Sequence, residues 1–328
     1  MSLRFFRSGS YQSDINNIMI VNWLIAHKPV NLFIRTANEF KKQIAEATNG
    51  EIEIVIHEKE SELVFEAETG KNCVTALQDN DFQMSQTEVY LIGQMHPDTQ
   101  DFLALDLPYL FESHDHCSAV MEGSVGDALN RRLSKTFDVT GLAYTYSGGY
   151  RNIGADTPVT SLVDLQGQKV RVGGNPVNQD FMRELGATPS RDRIEGENGL
   201  WIENISDIDV KAVENTYTRF PEAKYWYRTN HNMFLTDIMV SNKFWNTLTP
   251  ELQKTFKDTA VKVARLERAW SEEDHDAFEE SAQLHGKTIT PVTQEDKVTM
   301  KQKAKPVYDK WSKIITPGLL AAISNTKH

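Results

Sequence analysis

The sequence predicts an α/β protein of two lobes joined by one long helix, and three observations predict it. Short apolar runs of strand length alternate with segments of helical period along both halves of the chain. At 328 residues the chain exceeds what a single hydrophobic core commonly fills. Between Pro250 and Gly286 there is no glycine or proline, so an unbroken helix there would run about 50 Å, longer than one lobe is wide.

Taken in order, 17–23 reads as a first strand, and His27-Lys-Pro29 opens a helix. Phe33, Ala37, Phe40, Ile44 and Ala47 recur at helical spacing until Asn49-Gly50 stops them. A strand over 51–57 precedes a helix within 61–78. Strands follow over 81–86 and 103–107. Ser113 caps a helix through Met121, a further one covers 125–133, and 139–146 returns as a strand. In the second half, strands are expected over 210–213, 237–240 and 287–290. Thr249 and Pro250 cap and open the long helix. Thr293 with Asp296 caps a last helical region, which Pro306 is expected to interrupt. The alternation implies a largely parallel sheet.

The chain is organised around the stretch 147–216. Lys169 to Val172 reads as a short strand ending at Arg171, and Gly173-Gly174 allow a tight turn. Asn175 is a good N-cap and Pro176 a good first helical residue; Phe181, Met182 and Leu185 form an apolar face, and Gly186 ends the helix. A guanidinium would then lie beside a helix N-terminus, and both favour an anion such as a carboxylate. A structural ion pair is the other reading of Arg171.

Composition narrows the function. A net charge of −11 argues against nucleic acid and anionic membrane surfaces as partners. With 40% hydrophobic and 25% charged residues the chain is ordinary globular protein, and no apolar run is long enough to span a membrane. The polar, basic start, 1–14, shows no signal-peptide core. Cys73 and Cys117 are compatible with a disulfide or with two thiols. Dinucleotide, phosphate-loop, nucleophile-elbow and zinc-protease motifs are absent. His114-Asp115-His116-Cys117 resembles a metal cluster, but neighbours at i and i+2 on a helix face apart, so no metal site is expected. The aromatics Tyr225-Trp226-Tyr227 would line a pocket or cover a core edge.

Several segments together resemble a family. Glu39-Phe40 to Gly50-Glu-Ile is similar to its first helix, stop and second strand. Leu107-Pro-Tyr-Leu-Phe111, Gly149-Tyr-Arg151, Asp164-Leu-Gln-Gly to Arg171-Val, Leu185-Gly-Ala-Thr-Pro189, Val210 to Asn215, and Asn230-His-Asn with Val240-Ser-Asn follow in the family's order and spacing. The chain resembles the solute-binding proteins of tripartite ATP-independent periplasmic (TRAP) transporters, of the dicarboxylate-binding (DctP) type. The match covers almost everything after Asn22.

The resemblance implies a two-lobed periplasmic-binding-protein fold, type II-like. One lobe would be 1–148 plus 236–275, and the other 149–235 plus 276–328. It implies that Arg171 pairs with a substrate carboxylate, that Arg151 supports it, and that Asn215 bonds the ligand. Gln86 falls at a polar ligand contact. Asn22, Phe65 and Glu66 fall near first-lobe contacts, and His231 beside a hinge-side network. The implied partners are a small organic anion and membrane permease subunits, with a periplasmic location, no cofactor and no catalysis. A ligand sensor, or a periplasmic enzyme, is the alternative class. Lys211-Ala212 in place of Asp-Gly, the charged 191–198 loop, and Trp201-Ile-Glu-Asn204 in place of a Tyr-x-Ala-Leu pattern depart from the family on the ligand side of the second lobe.

Overall fold

Nine strands of the described residues form one mixed sheet, and two of them run through its entire length. The computed structural model describes residues 18–26, 31–58, 72–190, 200–204 and 223–328. The strands are β1 (Met19–Ile25), β2 (Ile52–His57), β3 (Met84–Glu88), β4 (Val139–Ala155), β5 (Lys169–Arg171), β6 (Thr188–Ser190), β7 (Leu200–Asn204), β8 (Tyr225–Ser241) and β9 (Thr288–Pro291). Their order is β2-β1-β3-β8-β4-β7-β5-β6, with β9 beside β8.

At one end, β2, β1 and β3 are parallel, and β8 joins β3 antiparallel. At the other end, β5 pairs in parallel with β6 and β7. Between them, β4 and β8 form an antiparallel ribbon of 17 residues each, paired from Val139–Ser241 to Ala155–Tyr225. The expected largely parallel sheet is therefore corrected to a mixed one. The expected strands over 139–146 and 237–240 are only parts of two long strands that cross the molecule.

The ribbon changes register between Tyr146 and Tyr150 and again between Arg151 and Ile153. Gly148 and Gly149 adopt φ of 87° and 66° there, in the left-handed region that a Cβ disfavours. These bulges twist the ribbon where it passes from one half of the sheet to the other.

Residues alternate across β1 into two cores. Trp23 and Ile25 pack with Phe33, Phe40, Ile54 and Phe256. Leu24 packs on the opposite face with Val74, Phe102, Leu129 and Met239. Burial on both faces explains why this strand reads as an almost continuous apolar run. A third core joins Ile153, Val170, Phe181, Tyr227, Met300 and Trp311 in the other half.

The helices that matter for the site are α1 (Asn31–Ala47), α2 (Cys73–Asp79), α3 (Val89–Met95), α4 (His114–Met121), α5 (Ser124–Phe137), α6 (Pro176–Glu184), α7 (Asn242–Trp245), α8 (Pro250–Ser281), α9 (Gln294–Trp311) and α10 (Leu319–Ser324). Thr249 caps α8 and Asn175 caps α6, each followed by proline, as the sequence predicts. The buried stripe of α8 begins apolar at Phe256, Ala260, Val263 and Ala264. It turns polar at Glu267, Ser271 and Asp274, then apolar again at Phe278. Spacing by three and four keeps all of these on one face. The polar section lies against the ribbon's glycines, where the Gly148 N–H donates to Ser271 Oγ at 2.6 Å.

Other expectations need correction. Residues 97–106 form a 3-10 helix, not a strand over 103–107. Pro97 at its first position and Asp98 in its first turn favour helix over strand there. Pro306 sits inside α9 without ending it. Strand β3 runs to Glu88, beyond the expected 81–86. The expected strand over 210–213 lies outside the described residues. Cys73 and Cys117 are buried free thiols. Among the described residues no helix is long and apolar enough to cross a membrane.

Candidate functional site

A buried polar cluster forms where the ribbon, α3, the 3-10 helix and the start of α6 meet. The ribbon register pairs Arg151 of β4 with Asn232 of β8. The Asn232 amide Nδ2 donates to Asp106 Oδ1 at 3.2 Å and to Asn178 Oδ1 at 3.0 Å. Asp106 ends the 3-10 helix and Asn178 lies in the first turn of α6, so one amide ties three elements together. Arg151 Cζ lies 4.3 Å above the Phe234 ring, a cation–π contact that holds the guanidinium over β8. Tyr90 of α3 lies opposite Gly174, where a methyl group would sit 3.8 Å from the phenol oxygen.

Electrostatics show that these groups share one environment. Burial pushes the Tyr90 phenol up; Glu88 and Asp106 add to the shift, while Arg151 and Arg171 oppose it. Both arginines therefore act on the same hydroxyl, although they come from different strands. Burial pushes the Asp106 carboxyl up to about 7, against the pull of Arg151 and the amides of Asn175 and Asn232. Burial, with Arg151 beside it, lowers His231 to about 3, so its ring is neutral at physiological pH. His231 shares a 2.8 Å hydrogen bond between Nδ1 and Thr229 Oγ1.

Among the described residues, three buried polar atoms in this cluster have no hydrogen-bond partner: Asn232 Oδ1, Arg151 Nε and His231 Nε2. Buried polar atoms are ordinarily paired, and leaving one unpaired costs about 1–3 kcal/mol. Their concentration at one place marks a surface prepared for polar partners. Helix α6 contributes less than its position suggests. Its Asn175 cap already accepts from the Val177 and Asn178 N–H groups, and Pro176 has none to give. The helix end supplies its dipole rather than open donors.

The sequence-predicted residues divide into three groups. Arg151, Arg171 and His231 come together around the cluster. Gln86 lies at its edge and is engaged elsewhere: its Nε2 donates to Thr236 Oγ1 at 3.0 Å and to both oxygens of Glu267 at 2.9 Å. Asn22 is farther along β1, bonded to His57 Nε2 at 2.8 Å and Gln83 Oε1 at 2.9 Å. Phe65, Glu66 and Asn215 lie outside the described residues.

Tyr90, Asp106 and Asn178 were missed by sequence reasoning. Asp106 carried a signal: a carboxylate inside the apolar run Leu103–Leu107. A separate groove between α5 and α8, lined by Glu122, Asp127, Asn130, Lys257 and Arg265, is remote from the cluster. Its Glu122 already pairs with Arg265 and Arg268.

Comparison with known proteins places this architecture. A family model for bacterial extracellular solute-binding proteins, family 7 (DctP), matches residues 26–191 and 213–314. The chain belongs to this family. The DctP-family match spans both halves of the sheet and every cluster residue named above.

The C4-dicarboxylate-binding protein DctB of Bacillus subtilis (strain 168) is 25% identical over 282 residues, covering 85% of this chain and 78% of that protein. The C4-dicarboxylate-binding periplasmic protein DctP of Rhodobacter capsulatus is 23% identical over 290 residues, covering 88% and 84%. A TRAP periplasmic solute-binding protein from Pseudomonas putida F1, crystallised with bound D-glucuronate, superposes with a TM-score of 0.78 at 24% identity, covering 94% of this chain and 98% of that one. Another, from Desulfovibrio desulfuricans with bound sn-glycerol-3-phosphate, reaches 0.80 at 18% identity, covering 93% and 96%. The DctP-family chain therefore has the two-lobed α/β fold of TRAP solute-binding proteins, and its role is that of a solute-binding protein in transport.

Proposed function

We propose that this chain captures a small carboxylate-bearing solute between its two lobes outside the cytoplasm and delivers it to a membrane permease, without covalent chemistry. One lobe is 1–148 plus 236–275 and the other 149–235 plus 276–328, hinged at the β4–β8 ribbon and α8. The single observation that supports this best is the convergence of Arg151 and Arg171 on Tyr90 beside buried polar atoms that lack partners among the described residues. Arg171 is the carboxylate anchor and Arg151 its support, with Asn215 and His231 completing the polar contacts. Gln86, Asn22, Phe65 and Glu66 belong to the first-lobe side. Carboxylate ligands named for its relatives and fold neighbours, C4-dicarboxylates and D-glucuronate, agree with this reading.

Closure removes water from the guanidinium–carboxylate pair. That strengthens its Coulomb attraction, while dehydration of both ions cancels part of the gain. A ligand touching both lobes selects the closed state by its differential affinity for it. Native mass spectrometry of the protein as purified should show a bound organic acid. Small-angle scattering before and after its removal should show the ligand-free form to be less compact. An unchanged radius of gyration at proven saturation overturns capture by closure.

A further inference from the structure

We propose that Asp237, Asn130 and Tyr144 form a site for one monovalent alkali cation, Na+ or K+, in the half of the sheet that holds β1, β2 and β3. The site lies apart from the solute cluster, beneath the groove between α5 and α8 that Asn130 and Tyr144 line.

The sheet register sets Asp237 of β8 beside Tyr144 of β4. Asp237 is fully buried and Tyr144 nearly so. Among the described residues, Asp237 Oδ1 and Oδ2, Asn130 Oδ1 and Tyr144 Oη are all buried without a hydrogen-bond partner. The Asn130 amide Nδ2 donates to the Gly141 carbonyl at 3.2 Å, which fixes the other end of the amide as an oxygen. The reverse orientation would set two acceptors against each other. A Cβ at Gly141 would stand 2.2 Å from Asn130 Oδ1 and 2.5 Å from Asp237 Oδ2. Both oxygens therefore border the space that this glycine leaves free.

The donor set decides what fits there. With Asp237 ionised, four oxygens share one proton, that of the phenol, so the protein leaves acceptors over. Carboxylate, amide and phenol oxygens are hard ligands, which suit alkali and alkaline-earth ions rather than metals that prefer nitrogen or sulfur. Charge selects between those two groups. The ligands include one carboxylate, which one positive charge neutralises. Lys257 of α8 already acts on Asp237, while its ammonium donates to the Leu142 carbonyl of β4. A divalent ion would therefore leave net positive charge in a poorly screened place. Asp127 is exposed, lines the same groove and acts on the Tyr144 phenol, so a cation meets an acidic entrance.

The test is thermal melting of the full-length chain at pH 8 in sodium, potassium or choline chloride at one ionic strength, so that screening is equal in all three. Sodium or potassium should raise Tm over choline by about 2–4 °C, and the rise should saturate with concentration. Asp237→Asn should lose the rise. In choline that variant should start from a higher Tm than wild type, because no ion there offsets the buried acid, and in the preferred salt the gap should narrow. Tyr144→Phe keeps the ring and removes one ligand oxygen. It should melt cooperatively with at least half of the rise lost. Equal wild-type Tm in all three salts overturns the proposal and leaves a proton as the partner that neutralises Asp237. An undiminished rise in either folded variant overturns it too. A larger rise with magnesium or calcium at the same ionic strength overturns the monovalent assignment.

Discussion

His114 Nδ1 lies 3.1 Å from Glu272 Oε2, tying the start of α4 to α8 beside the glycines of the ribbon. The His114 ring stacks on Tyr150 at 5.0 Å and 19°, and faces Tyr146 at 5.0 Å. Tyr146 in turn donates to Glu272 Oε1 at 2.9 Å. The imidazole thus sits between tyrosines on either side of the Gly148–Gly149 register change, and its partner lies one residue from Ser271, which holds the Gly148 N–H.

His114→Ala should destabilise the protein by about 1–3 kcal/mol, mostly through the lost ring contacts. Glu272→Gln should cost less than about 1 kcal/mol, because Glu272 is half exposed and water screens its charge. Urea unfolding of both variants compares the two. A larger loss in Glu272→Gln would show that the contact to Glu272, not the stacking, holds this joint.

Arg171→Ala should weaken solute binding by about 2–5 kcal/mol if its guanidinium forms a largely desolvated pair with the carboxylate. That corresponds to roughly a 30- to 5,000-fold rise in Kd. Arg171→Lys keeps the charge but loses the planar fork, so it should recover only part. Arg151→Ala should cost less. Calorimetry and melting temperature on the same variants decide: near-native affinity with a lowered Tm would make Arg171 a structural residue.

His231 and Asp106 should impose opposite pH slopes on stability. The folded value of His231 is lowered from 6.5 to about 3, so the unfolded chain binds the extra proton between those values. Its contribution is present above pH 6.5 and is lost as pH falls toward 3. Asp106 is raised from 3.8 to about 7, so the folded chain binds the extra proton. Its contribution is present below pH 3.8 and is lost as pH rises toward 7. Each slope approaches about 1.4 kcal/mol per pH unit, and the two oppose each other between pH 4 and 6.5. His231→Asn should make the ligand-free protein relatively more stable in acid, and Asp106→Asn relatively more stable at neutral pH. Melting curves from pH 4 to 8 that move the other way would contradict these assignments.

Asp237→Asn should stabilise the protein above neutral pH. Asp237 is fully buried, and among the described residues neither of its carboxyl oxygens has a hydrogen-bond partner. Burial holds its carboxyl well above the usual range, with Lys257 opposing only in part. A raised folded value means stability is lost as pH climbs from the unfolded value toward the folded one. An amide removes that loss and adds a donor toward Asn130 Oδ1, which lies with Asp237 Oδ2 over Gly141. The expected gain is about 1–3 kcal/mol at pH 8 and smaller at pH 5, read from denaturant unfolding at both. A loss at pH 8 would mean the charge is needed.

Local rules make many elements of this protein legible in its sequence. The Asn175-Pro176 start of α6, the Thr249-Pro250 start of α8 and the apolar spacing of α1 all depend on residues within a turn or two of one another. Arg151, Arg171 and His231 stand out because their motifs are short and contiguous. The cluster itself is not legible there. Asp106, Asn178 and Asn232 meet across separations of 54 and 126 residues, and no period or cap links such positions. Gln86 looks available in the sequence, yet folding gives its amide to Glu267, 181 residues away. The ribbon shows the same division. The apolar run 139–146 reads as a short strand, but antiparallel pairing with β8 carries β4 on through Gly148 and Gly149 as one continuous bulged strand. Residue type and local spacing determined the elements and the charged candidates. Long-range pairing of β4 with β8, and burial against α8, decided which polar atoms are spent within the protein.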